Sequence, residues 1–283
     1  MKNINSKLSS SYIMTLIIVL LTIVAVTGGL FKEGLYKDTS NFVLSAWYAT
    51  DLVTLVVGVP LLIVALIFSL RGSLRGQLVW LGMLIYTLYN YSYYLLGASL
   101  NSFFLIYVAL FCLSMYAIIF GLVNLDYEKI AKSFKGKTPV KAICVYMIIL
   151  GLILGGAWTS QWLNFVVTGN LPQVMINVNS STNLVASLDL TVVVPLCIVA
   201  AFYLWKRMAI GYVLAVMLNV KGTVYNLILI SGSILQADKG VKGAMDLVPL
   251  WIFLGIGCLS SLVILLINIR PVQTEGKSMD IAG

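Results

Sequence analysis

The chain has 283 residues, 60% hydrophobic and only 10% charged, with a mean hydropathy of +1.01. So few charges, clustered between apolar runs of about 20 residues, cannot close those runs into a water-soluble core. Ordinary soluble domains are excluded, and an all-α integral membrane protein with lipid bilayer around it is expected. The net charge of +8 sits at the ends of apolar segments, where topology accounts for it, so nucleic acid is not an expected partner. No His is present, which removes His-ligated haem or zinc and the Ser-His-Asp and Cys-His triads. Cys112, Cys144, Cys197 and Cys258 are isolated within apolar stretches and read as buried structural thiols rather than a redox or metal centre. No cofactor and no metal site are expected.

In chain order, the apolar runs predict eight spans: 11 to 30, 47 to 70, 76 to 97, 102 to 124, 140 to 165, 187 to 205, 208 to 231 and 247 to 269. At about 1.5 Å per residue, each is long enough for a ~30 Å hydrocarbon core. The first lacks a small-x-small cleavage site after Thr27 and reads as a retained helix rather than a signal peptide. With both termini cytoplasmic, thirteen cations lie inside (Lys2, Lys7, Arg71, Arg75, Lys129, Lys132, Lys135, Lys137, Lys141, Lys206, Arg207, Arg270, Lys277). Four lie outside (Lys32, Lys37, Lys239, Lys242) and Lys221 falls within a span. That asymmetry follows the positive-inside rule and points to the cell membrane, N-in and C-in. Trp47, Trp158, Trp162 and Trp251 fall at outer span ends and Trp80 and Trp205 at inner ends, as expected of rings that prefer the interface.

Val59-Pro60-Leu61-Leu62-Ile63-Val64-Ala65 recurs as Val194-Pro195-Leu196-Cys197-Ile198-Val199-Ala200, 135 residues on. Asp51-Leu52 corresponds to Asp189-Leu190, Arg71 to Lys206, Gly76 to Gly211, and Tyr89-Asn90 to Tyr225-Asn226 after a one-residue gap. A parallel 4+4 internal repeat is expected, its halves related by a pseudo-two-fold axis along the membrane normal, because four spans return the chain to its starting side. The units are 1–128, a basic linker 129–139, a second repeat 140–271 and a tail 272–283.

Lys221 is about 20 Å from the inner end of its span, a depth at which an ammonium costs roughly 2.5 to 3.5 kcal/mol to insert and defaults to a functional group with a partner. Asp51 and Asp189 are candidate partners. N-capping of their spans explains both carboxylates without a substrate, whereas a symmetric central pair would form an acidic mouth for cations or protons. Tyr86, Tyr89 and Asn90, with Tyr93, share one face of span three. Asn219 and Asn226, with Thr223, share one face of span seven, while Lys221 and Tyr225 point to another. Such stripes bind neighbouring helices or line a hydrated path. The combination favours a transporter or channel for a small solute or ion with its site between the repeats. The alternative is a non-transporting sensor or assembly partner. No catalytic motif is present, so an enzyme is not expected. Substrate and oligomeric state are not legible.

Overall fold

The structure is a computed structural model describing residues 8–270. Lys2, Lys7, Pro271, Lys277 and the expected tail 272–283 lie outside the described residues. Among the described residues ten helices carry the chain: α1 (Ser9–Phe31), α2 (Asn41–Leu70), α3 (Leu74–Gly97), α4 (Phe104–Val123), α5 (Tyr127–Ser133), α6 (Val140–Thr168), α7 (Gln173–Val178), α8 (Leu184–Trp205), α9 (Ala209–Asp238) and α10 (Val248–Ile267). Seven of these, α1, α2, α4, α6, α8, α9 and α10, are long and apolar enough to cross a membrane, and a multi-pass membrane protein follows.

The expected third span, α3, is a 24-residue helix but is not one of the seven. Arg75, Gln77, Asn90 and its run of tyrosines lower its hydropathy. It tolerates them because it is the most enclosed helix, with fifteen of 24 residues buried against α2, α4 and α9. The peripheral helices show the opposite balance. α6 buries five residues of 29, and Leu152, Leu163, Val166 and Val167 face outward. Apolar surface of that extent is stable only when something other than water covers it.

Two helices carry a π-helical turn, Thr54–Gly58 in α2 and Asp189–Val193 in α8, each directly before a Val-Pro pair. Pro60 and Pro195 lack the amide hydrogen that would bond four residues back, and a widened turn is one way for the helix to continue past them. The hairpins after these helices are also built alike. Gly72 and Arg207 adopt positive φ of 80° and 54°. Ser73 N donates to Phe68 O and Met208 N to Tyr203 O, both at 3.0 Å. Four residues past each turn, Gly76 and Gly211 lie so close to the preceding helix that a Cβ would strike the backbone of Phe68 and Ser69, or of Tyr203 and Leu204.

Residues 129–139, expected as a linker, are held in place. Asp126 caps α5 through Lys129 N, Phe134 stacks on Tyr212 at 3.9 Å, and Arg270 N donates to Ser133 O at 2.7 Å. Arg75 donates to the carbonyls of Leu266 and Ile269, both at 2.8 Å. A cation there answers the unmade carbonyls and negative dipole of the end of α10.

Two of the tryptophans also hold helices together. Trp162 and Trp205 are exposed, but Trp47 and Trp80 are fully buried. Their indole N–H groups donate to Asp38 Oδ2 and Thr15 Oγ1, both at 3.0 Å. These rings tie helices together because a buried indole needs an acceptor.

Candidate functional site

Lys221 stands on α9, twelve residues or about 18 Å from Ala209. It is 6% exposed. Among the described residues its Nζ is paired with no carboxylate and bonded to no acceptor; it lies on two aromatic faces, 3.6 Å from the Tyr89 ring centre and 4.3 Å from that of Tyr225. Tyr225 reaches it because positions four apart stack on one helix face. Tyr89 comes from α3, and the two rings meet edge to face at 5.0 Å.

Asp189 completes the group. It accepts from the Tyr89 hydroxyl at 2.8 Å and the Trp158 indole at 2.9 Å. Tyr89 therefore serves two charges, with its hydroxyl on the carboxylate and its face under the ammonium. Donation to a carboxylate pushes electron density into the ring, and the negative face that attracts a cation strengthens with it. Behind Lys221, Cys258 lies against Gly222 and Tyr146.

Asp51 belongs to a separate cluster. Its carboxylate accepts from the Tyr94 hydroxyl at 2.8 Å and, through a second short bond, from Tyr36. Trp47 packs against Tyr93 and Tyr94 at 4.7 and 4.6 Å, and its indole leads outward to Asp38, which also accepts from Ser99 Oγ at 2.9 Å. Burial, then the Asp51 charge beside it, push the Tyr36 phenol well above its ordinary range, so it keeps its proton and remains a donor.

Two expectations about the aspartates are corrected. Neither caps a helix. Asp51 is ten residues inside α2, and Asp189 five inside α8, whose N-cap is Asn183. Nor are they equivalent in place. Asp189 opens its π turn whereas Asp51 precedes its own by three residues, leaving Thr54 as the counterpart of Asp189 at the 135-residue offset. Thr54 pairs with the Tyr86 hydroxyl at 2.6 Å.

The amide stripes do not join either cluster through hydrogen bonds. Asn219 Nδ2 donates to Ala215 O and Asn226 Nδ2 to Gly222 O, each at 2.8 Å and within α9. Asn226 packs its Cβ toward Gly255 of α10. Among the described residues, Asn90 Nδ2 and Asn226 Oδ1 are buried without partners. Of the nine candidates, Tyr89, Asp189, Lys221 and Tyr225 therefore form one group. Trp158, Tyr36, Tyr94 and Trp47 escape sequence reasoning as carboxylate partners or packing, and only the neighbouring tyrosines in α3 hint at Tyr94.

No protein-family model, curated protein or solved structure matches the chain. Function is therefore argued from the site. A crevice of about 320 Å³ lies elsewhere, lined by Lys37, Asp38, Ser40, Gly97, Ser99 and Asn179 among others.

Proposed function

We propose that this protein moves a small solute or ion across the cell membrane, binding it at Lys221, Asp189, Tyr89 and Tyr225 between two four-helix halves. The observation that carries the reading is Lys221: a buried ammonium on a helix long enough to span, bonded to no acceptor among the described residues and held by aromatic faces. Cation–π contact supplies about 2 kcal/mol when desolvated, short of the several that burying the charge costs. A functional group is the usual reason to keep such a charge. Its three N–H donors, bonded to no acceptor among the described residues, favour a solute bearing an acceptor, a carboxylate or another oxyanion.

The halves in this reading are duplicated units about a two-fold axis along the membrane normal, with α3 the eighth span. The matching π turns, left-handed turn residues and close-approach glycines support it. So does the contact of Tyr89 with Tyr225, since equivalent residues meet one another only near such an axis. Widened turns beside Pro60 and Pro195 are natural flexing points for alternating access. Both termini and the 129–141 segment face the cytoplasm. Single cysteines at 135 and 175 are expected to separate accordingly, with an impermeant thiol reagent on intact cells labelling position 175 only. Labelling at 135 alone would reverse the topology.

The binding test screens carboxylates, phosphate and sulfate by thermal unfolding of the purified protein. At least one is expected to raise the melting temperature of the wild type in a concentration-dependent way, and the effect should vanish in Lys221→Met. If none shifts the wild type while Lys221→Met melts at the same or a higher temperature, Lys221 serves packing alone. The non-transporting sensor or assembly partner then becomes the better reading.

A further inference from the structure

A second feature lies in the first half, away from Lys221 and independent of the reading built on it. The hydroxyls of Ser11, Thr22, Tyr91, Tyr107 and Ser114 are all buried and, among the described residues, make no well-formed hydrogen bond, although Tyr91 lies beside Thr22 and Tyr107 beside Asn101 and Tyr36. Leaving one such group unmade costs about 1 to 3 kcal/mol, and native proteins avoid the cost with internal water that bridges several groups at once. The five lie on three neighbouring helices, α1, α3 and α4.

They fall at more than one level along α1, α3 and α4. Trp80 sets one level, because its indole donates to Thr15 Oγ1 on α1 while its ring lies against Gly121 on α4. Thr22 and Ser114 are each seven residues, two turns or about 10.5 Å, farther along their antiparallel helices, and so share a level. The Tyr91 hydroxyl faces Thr22 from α3. Tyr91 in turn stacks on Tyr107 at 6.1 Å and packs on Tyr94 at 5.6 Å, and Tyr94 is bonded to Asp51. Toward the other end, Thr15 donates to Ser11 O at 2.7 Å, and Tyr12 pairs with Ser69 at 3.0 Å.

Asp51 at the head of this line is 2% exposed and, among the described residues, in ion-pair contact with no Lys or Arg. The titratable groups facing it are Tyr36 from the loop before α2, Tyr86, Tyr91 and Tyr94 from α3, and Tyr107 from α4. Gly29 of α1 lies so close that a Cβ there would overlap the carboxylate and the Tyr36 hydroxyl. The Asp51 shell is made of phenolic hydroxyls, groups that exchange a proton with a carboxylate.

We propose that the seam between α1, α3 and α4 holds internal water that carries protons between Asp51 and the Ser11–Tyr12 end of α1. Each hop breaks one O–H bond and forms another, passing a proton along the water and hydroxyl chain without net chemistry or a co-reactant. Asp51 accepts the proton at one end and releases it at the other side of its hydrogen-bond shell.

The test is proton flux in vesicles containing the purified protein and a trapped pH dye, driven by a potassium gradient with valinomycin and with no oxyanion present. Wild-type vesicles are expected to acidify well above protein-free ones. Thr22→Val, which keeps the volume and removes the hydroxyl, should lose most of that flux; Ser114→Ala and Asp51→Asn should do the same, while Thr22→Ser should retain it. Wild-type flux at the protein-free level, or folded Thr22→Val conducting like the wild type, overturns the proposal. Radiolytic oxygen labelling of the wild type, which marks side chains beside bound water, needs no variant. Modification of Tyr91 or Tyr107 is expected, and none at either overturns it.

Discussion

Asp189→Ala is expected to lower the stability of the folded protein by about 2–6 kcal/mol, the cost of leaving two enclosed donors without an acceptor at about 1–3 kcal/mol each. The substitution strands three groups together. Tyr89 and Trp158 lose their acceptor, and Lys221 loses the carboxylate whose hydrogen bond enriches the Tyr89 ring beneath it. Adding Lys221→Met should recover much of the loss, since a hydrophobe of similar length removes the stranded charge and packs on the same two rings. A double-mutant cycle read by denaturant unfolding in detergent micelles checks this. Strictly additive losses would mean that the two charges do not act through Tyr89.

Trp47→Ala is expected to cost a comparable amount, about 3–5 kcal/mol, as large-to-small changes of fully buried aromatic residues do. Trp47 is 0% exposed and packs among Tyr36, Tyr93 and Tyr94, so its removal opens a cavity beside two of the side chains that orient on Asp51. Trp47→Phe separates the contributions. It keeps most of the ring and removes only the indole donor to the half-exposed Asp38 Oδ2, so about 0.5–1.5 kcal/mol is expected. Thermal unfolding of both variants decides the matter. Equal losses would assign the whole effect to the indole N–H and none to packing.

The membrane class was legible because apolar runs of spanning length survive any rearrangement of helices. Helix ends were close to expectation where a turn residue marked them, as at Gly72 after α2. They were less close where a helix overran its apolar stretch, as α9 does in continuing to Asp238. Lys221 stood out because a solitary ionisable residue so far inside a span has few inexpensive explanations. The 135-residue offset was legible from Val-Pro, yet it suggested a symmetric Asp51 and Asp189 pair that the π turns place three residues out of register.

The sequence by itself therefore determined the membrane-spanning helical class, the length of most helices, and the identity of the buried cation. Only the tertiary structure decided which side chain meets which: that Tyr89 rather than a carboxylate lies against Lys221, that Asp51 binds tyrosines instead of capping, and that Trp47 and Trp80 sit inside. The reason is physical. In a water-soluble helix the apolar stripe reveals which face turns inward, but in a bilayer lipid tails are as apolar as the protein core. The run Ile18-Val19-Leu20-Leu21 of α1, in which Val19 is buried while Leu20 faces out, carries almost no contrast between its faces. The rotation of each helix about its own axis, which sets every contact in both clusters, is then chosen by packing between helices and the pairing of a few polar groups.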